Sequence, residues 1–107
     1  MIVSGGENIY PADVENVLMT HEDVGDVAVI GVPDDTWGEA VTAVVVPAAG
    51  TSPAEEDLIA FARERLAGYK LPKSLDFATE LPRNPSGKLL KRQLREPYWE
   101  GATRRIH

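Results

Sequence analysis

Cysteine is absent from the 107-residue chain, and its two histidines stand alone at positions 21 and 107. The lack of cysteine excludes a disulfide framework, a thiolate metal site and a cysteine nucleophile. The histidines show neither metal-ligand spacing nor a partnership with a serine. No apolar run approaches the roughly 20 residues of a transmembrane helix, and the first residues lack the pattern of a signal peptide. The sequence therefore predicts a soluble, cytoplasmic domain with no metal site.

Positive charge is scarce in most of the chain, whose net charge is −6. Residues 1–80 hold 15 acidic and 4 basic side chains, whereas residues 81–107 hold 2 acidic and 7 basic ones. A cationic segment on an acidic body indicates that this end meets an anion. The alternative is a basic helix that docks on the acidic body of its own domain.

Nucleic acid or acidic lipid is one class of anion that this basic segment could bind, as part of a non-catalytic module. An acidic body repels polyanions, and only Tyr98 and Trp99 lie near the basic stretch to stack on bases. We therefore expect no nucleic-acid partner.

Two patterns predict the β-structure. The pair Gly5-Gly6 lies between short β-prone runs, which is a hairpin signal. Two β-branched runs, VGDVAVIGV and EAVTAVVVP, are separated by turn residues, and the second is apolar enough to be buried on both faces. With a shorter strand over residues 74–78, these runs predict a small N-terminal β-hairpin followed by a three-stranded sheet.

Amphipathic segments predict the helices that cover this sheet. Residues 11–20 carry an apolar stripe that begins with a proline at the first helical position. A second helix is predicted from a capping box at Ser52 and Glu55 to a glycine stop at Gly68. A short third helix is predicted over residues 89–95.

The order of these elements places the chain in the α+β class, as one small domain over residues 1–95. Residues 96–107 follow without clear periodicity and contain Pro97. We expect them to form a loosely ordered tail.

The segment NPSGK, residues 84–88, presents Lys88 after a Pro-Ser-Gly turn that we expect to be flexible. A lysine ammonium is a compact charge with three donors, suited to oxyanions that develop in a transition state. The spacing is not that of a P-loop. The alternative is an ordinary solvated surface lysine. The later cations Lys91, Arg92 and Arg95 fit a solvent-facing helical stripe that shares a face with it.

The glycine pair also has two interpretations. Gly5 and Gly6 satisfy the positive φ angles of a turn, which is the interpretation that sequence spacing favours. They also remove every Cβ from a surface, so that a thin, extended ligand can pass close to the backbone.

Four stretches together, MIVSGGENIYPADVENVL, VAVIGVPDDTWGEAVTAVVV, YKLPK and LPRNPSGKLLKRQLR, strongly resemble the C-terminal domain of the adenylate-forming (acyl-CoA synthetase, AMP-binding) superfamily. The resemblance covers residues 1 to about 95 and is closest to fatty-acyl and aryl CoA ligases. It implies a mobile lid domain that is inactive alone and whose partner is a larger N-terminal domain of the same enzyme.

The resemblance also implies roles for individual residues. Lys88 would enter the active site while a carboxylate and ATP form an acyl-adenylate, and Gly5 and Gly6 would line the channel for the pantetheine arm of coenzyme A. Arg63 matches a position that contacts the nucleotide phosphates of coenzyme A in some relatives. ATP with Mg²⁺ and coenzyme A are implied as substrates of the full-length enzyme, with none bound to the isolated domain. A lid that loads a carrier protein is the neighbouring alternative.

Overall fold

The computed structural model describes residues 1–36 and 38–106, with side chains in the last helix described as far as residue 99. Its elements alternate short strands and helices as the sequence predicts. They are, in chain order, β1 Ile2–Ser4, β2 Glu7–Ile9, α1 Pro11–Met19, β3 Val24–Asp34, β4 Gly38–Pro47, α2 Glu55–Arg63, a 3₁₀ turn Gly68–Lys70, β5 Ser74–Phe77 and α3 Lys91–Ile106. The predicted α+β class is confirmed.

The sheet is organised around β4, which pairs with β3 in antiparallel register along nearly its whole length. On its other edge, β5 runs parallel to residues 42–45 of β4. That edge is therefore free at Gly38, where Ser4 of β1 pairs with it. The predicted hairpin of β1 and β2 is confirmed, and it joins the three predicted strands in one five-stranded sheet.

Helices α1 and α2 pack on one face of the sheet, and the chain after β5, which includes α3, covers the other face. The first core cluster combines α1 and α2 with the strands, through Val14, Leu18 and Leu58 among others. The second cluster sets Leu81, with Leu89, Leu94 and Tyr98 at its margin, against Ala28, Ile30 and Val44 of the opposite sheet face. Residues 40–45 of β4 are all buried, which confirms that this strand is covered on both faces.

The boundaries of α2 differ from the prediction. The helix begins after Ala54, which makes no side-chain cap, so the capping box at Ser52 is wrong. Residue 54 is still extended, with ψ at 147°, and three consecutive acidic residues in the first turn stabilise the positive end of the helix dipole instead. The helix ends at Arg63, well before Gly68.

The third helix is much longer than predicted. It begins at Lys91 rather than residue 89 and continues past Pro97 to Ile106, so the backbone of residues 96–106 is helical where the sequence predicts a loose tail. Tertiary contacts hold the helix as far as residue 99: the Tyr98 hydroxyl donates to Asp76, and Trp99 Nε1 donates to the carbonyl of Gly31 at 3.0 Å. His107 lies outside the described residues, and the domain boundary at residue 95 stays a prediction. Over the part of the chain described, no helix is long and apolar enough to cross a membrane.

Candidate functional site

The lysine loop, residues 84–88, is closed at its base by an antiparallel bridge between Arg83 and Leu89. Within it, the Asn84 N–H donates to the Lys88 carbonyl and the Gly87 N–H donates to the Asn84 carbonyl, each at 2.9 Å. Gly87 has a φ of 87°, which a residue with a Cβ rarely adopts. The proline, serine and glycine therefore form a closed, internally bonded loop rather than the flexible turn that the sequence suggests.

The side chain of Asn84 occupies the centre of this loop. Its Oδ1 accepts hydrogen bonds from the Ser86 N–H at 3.1 Å, the Ser86 hydroxyl at 2.8 Å and the Lys88 N–H at 2.9 Å. Asparagine ahead of a turn commonly bonds to the backbone two residues on. That signal is visible in the sequence, yet sequence reasoning did not assign Asn84 a role.

The loop is fixed to the body of the domain through Arg83. One guanidinium nitrogen donates to the carbonyl of Gly87 at 2.9 Å, and the other pairs with Asp26 of β3 at 2.6 Å. The Leu90 N–H donates to the Pro82 carbonyl at 2.8 Å, which closes the neck of the loop. The lysine loop is therefore attached to the end of the sheet where β3 begins.

Lys88 itself is exposed. Within the described ranges, its ammonium makes no hydrogen bond or ion pair, whereas Lys70 and Lys91 are paired with Asp13 and Glu15. The ammonium is thus directed to solvent from an ordered backbone, and none of the described carboxylates neutralises it.

The first cation after the loop, Lys91, behaves differently from Lys88, whereas Arg92 and Arg95 are exposed as Lys88 is. Because α3 begins at Lys91, Lys88 lies outside the helix and does not share its face, contrary to the stripe that the spacing suggests. Lys91 donates to Glu15 at 2.9 Å, and the same carboxylate accepts the Val29 N–H of the β3 edge. Part of the basic segment therefore does dock on the acidic body, as the alternative interpretation predicts.

The glycine pair forms the two-residue turn of the N-terminal hairpin. Gly5 and Gly6 have φ of 58° and 83°, the left-handed values that such a tight hairpin turn requires. The turn interpretation is thus confirmed. A Cβ placed on Gly6 would meet nothing within 4 Å, so this face of the hairpin is open.

A cavity of about 280 Å³ lies beside this turn, near the lower limit for small-molecule sites. Its lining residues come from the hairpin and from the segment after α2: Ser4, Gly5, Glu7, Gly68, Tyr69 and Lys73. Lys70 anchors that segment by donating to Asp13 of α1 at 3.1 Å. This hydrogen bond and the charge of Asp13 raise the pKa of Lys70. The sequence does not single out Tyr69 or Lys73, because they are far from the hairpin in the chain and only folding brings them beside it.

Arg63 is exposed at the last residue of α2 and does not line the cavity. A cation in this position interacts favourably with the negative end of the helix dipole. The structure therefore gives Arg63 a structural reason to be basic and does not bring it to the glycine turn.

The lysine loop and the glycine turn lie at opposite ends of the sheet. The hairpin attaches at Gly38, the first residue of β4, whereas Asp26, which holds the loop through Arg83, pairs with Val46 near the other end of β4. At about 3.3 Å per residue, these positions are roughly 26 Å apart. No group of His, Asp or Glu side chains that could hold a metal ion occurs in the described residues.

Comparisons with known proteins agree with one another. A family model described as the AMP-binding enzyme C-terminal domain matches residues 13–88. A feruloyl-CoA synthase from Amycolatopsis sp is 55% identical over 98 residues, which cover 92% of this chain and 20% of that protein. A fatty acid–acyl-carrier-protein ligase from Streptomyces coeruleorubidus is 46% identical over 106 residues, covering 99% of this chain and 20% of that protein.

The same likeness holds in three dimensions. The structure of a Mycobacterium tuberculosis fatty acyl CoA synthetase superposes with a TM-score of 0.87 at 50% sequence identity, covering 92% of this chain and 19% of that one. The chain therefore spans about a fifth of the length of the relatives that it matches.

Proposed function

The chain belongs to the AMP-binding enzyme C-terminal domain family, and we propose that it is the mobile lid of an ATP-dependent acyl-CoA ligase. In the first half-reaction, a carboxylate oxygen bonds to the α-phosphorus of ATP while the bond to the bridging oxygen breaks. The products are an acyl-adenylate and pyrophosphate. In the second, the thiol of coenzyme A attacks the acyl carbon, loses its proton and displaces AMP.

Lys88 carries the first step in this proposal, and the supporting observation is its unpaired ammonium on an ordered, exposed loop. Two anions must approach each other while charge builds on the phosphoryl oxygens and on the departing pyrophosphate. A positioned ammonium stabilises that charge without first leaving a carboxylate partner. A lysine already paired, as Lys91 is with Glu15, would have to break that pair first.

The glycine turn serves the second step. Gly5 and Gly6 leave the hairpin without side chains beside the cavity that Tyr69 and Lys73 line. A pantetheine arm is thin and extended, and it needs a passage rather than a deep pocket. In this proposal the arm runs along the turn, and Arg63 meets the nucleotide phosphates of coenzyme A from the end of α2.

The separation of the two regions supports the proposed mobility of the domain. Because the lysine loop and the glycine hairpin are attached near positions of β4 that are roughly 26 Å apart, we infer that one orientation of the domain does not suit both half-reactions at one reacting carboxyl group. A rotation of the whole domain between the steps would present each end of the sheet in turn. The adenylation domain that would form the rest of the site, together with Mg²⁺-bound ATP, is the proposed partner. ATP and coenzyme A are available in the cytoplasm, where we place the enzyme.

The acceptor thiol has a second candidate. The match to a fatty acid–acyl-carrier-protein ligase favours a phosphopantetheine arm carried by a protein, which has the same chemistry as the arm of coenzyme A. Thioester formation with coenzyme A and with a phosphopantetheinyl carrier protein, measured side by side, separates the two. We expect the faster reaction with coenzyme A.

The test of the Lys88 role uses the full-length enzyme that contains this domain. Lys88→Ala should slow acyl-adenylate formation by about 10²–10³-fold, the range for removing one donor from a developing oxyanion. Pyrophosphate release reports this step. Arg92→Ala, which removes an exposed cation from α3, is the matched control and should leave the rate unchanged. A parental rate in Lys88→Ala would refute the assignment.

A further inference from the structure

We propose that Asn84 is a positioning residue that sets the direction of Lys88 from the loop. This inference rests on the proposed role of Lys88 in adenylation. In this proposal Asn84 acts on the lysine rather than on the substrate, since its Oδ1 already accepts three hydrogen bonds from within the loop. Its effect would pass entirely through the lysine.

The backbone of Lys88 is held by Asn84 on both sides. The Lys88 N–H donates to the Asn84 side chain, and the Lys88 carbonyl accepts from the Asn84 backbone N–H, both at 2.9 Å. These two bonds fix the peptide groups before and after the Lys88 Cα. Asn84 therefore fixes the direction in which the Cα–Cβ bond of Lys88 leaves the loop.

The same carboxamide also orders the residues between them. Ser86 donates to Oδ1 through both its backbone N–H and its hydroxyl. Gly87 stays in its left-handed conformation, with its N–H bonded to the Asn84 carbonyl. Without the carboxamide, Gly87 would keep its bonds to the Asn84 carbonyl and the Arg83 guanidinium, but Ser86 and Lys88 on either side of it would lose their side-chain acceptor. An exposed glycine between two released residues would have more conformations open to it.

The loop needs a rigid base for this direction to matter, and Arg83 provides it. Its guanidinium joins the Gly87 carbonyl to Asp26 on β3. Asn84 thus sets the shape of the loop, and Arg83 sets its orientation on the sheet. A displacement of a reacting group by about 1 Å is enough to cost about 10²-fold in rate.

The experiment compares four variants of the full-length enzyme: Asn84→Ala, Asn84→Asp, Lys88→Ala and the double variant Asn84→Ala/Lys88→Ala. Asn84→Ala should lower kcat for adenylation by about 10–10²-fold, with little change in KM, because the lysine is present but misdirected. Thioester formation from preformed acyl-adenylate should stay parental. Asn84→Asp keeps an acceptor oxygen in the same place and should restore most of the rate.

The double variant identifies the route of the effect. If Asn84 acts through Lys88, removing both side chains should be no worse than removing Lys88 alone. Losses that multiply, or an equal loss in both half-reactions, would overturn the positioning role. Should Asn84→Ala fail to fold, Ser86→Ala removes only the hydroxyl hydrogen bond. It should give a smaller loss confined to adenylation, and a parental rate would count against the proposal.

The outcomes distinguish a failure of the positioning role of Asn84 from a failure of the proposed role of Lys88. A slow Lys88→Ala with a parental Asn84→Ala overturns the positioning role and leaves the proposed function intact. A parental Lys88→Ala overturns both.

Discussion

Replacing Gly6 with tryptophan tests the proposed pantetheine channel without disturbing the core. Gly6 has a φ of 83°, and nothing lies within 4 Å of a Cβ at this position. The Cβ of the tryptophan would therefore meet no atom of the domain, and its indole would extend from the open side of the turn. It would occupy the side of the turn along which we propose that the pantetheine arm runs.

The expected size of the effect has two parts. A non-glycine residue in the left-handed region costs about 1–2 kcal/mol, which lowers the stability of the hairpin. Obstruction of the channel falls on the second half-reaction alone. We expect thioester formation from preformed acyl-adenylate to slow by about 10–10²-fold, which corresponds to about 1.4–2.8 kcal/mol in the barrier. The rate of adenylation, measured by pyrophosphate release, should stay within about 2-fold of the parental rate.

Two controls separate strain from obstruction. Gly50 has a φ of 78° and equally open surroundings, but it lies between β4 and α2, so Gly50→Trp reproduces the strain and the bulk elsewhere. Gly6→Ala reproduces the strain at the hairpin without the bulk. The channel proposal is refuted if Gly6→Trp slows both half-reactions equally. It is also refuted if Gly50→Trp impairs thioester formation as strongly.

Two further predictions concern stability. Leu58 is fully buried in the first core cluster, so Leu58→Ala should lower the free energy of unfolding by about 2–5 kcal/mol in denaturant titrations; a loss under about 1 kcal/mol would contradict the described packing. Burial raises the pKa of Tyr98 to about 12 from its ordinary 10.0, and the hydrogen bond to Asp76 and the charge of Asp76 add to this rise. The folded state therefore holds this proton more tightly, and the resulting stabilisation is present below pH 10 and lost as the pH rises to about 12. Tyr98→Phe should make this alkaline loss shallower in unfolding measured across that range, and an unchanged slope would count against the contact.

Local patterns predicted the elements whose signals lie within a few residues. Paired glycines between β-prone runs identified the hairpin, and β-branched runs identified β3 and β4. The apolar stripe after Pro11 located α1 to within one residue at its end. In these segments, local preference and tertiary packing favour the same structure.

The predicted helix boundaries are wrong where contacts between residues far apart in the chain determine the structure. Residues 96–99 lack a clear apolar period, yet Tyr98 and Trp99 reach the sheet through Asp76 and Gly31, which are 22 and 68 residues away in the chain. At Ser52 a familiar capping pattern is present, but the chain stays extended to Ala54. A short motif is compatible with more than one helix start, and the sequence alone does not choose between them.

The candidate site also has features that the sequence shows and features that depend on folding. The residue types at Lys88 and in the glycine pair are visible in the sequence, but the availability of Lys88 depends on which cations are neutralised. Arg83 and Lys91, on either side of the loop, are paired with Asp26 and Glu15 through contacts that span most of the chain. These pairs neutralise the cation at each end of the loop and tie both ends to the body of the domain, whereas Arg92 and Arg95 of α3 stay exposed. Among the described residues, folding therefore places the unpaired ammonium of Lys88 on a closed loop whose two flanking cations are neutralised. A positioned charge without a carboxylate partner is what charge stabilisation in a transition state requires.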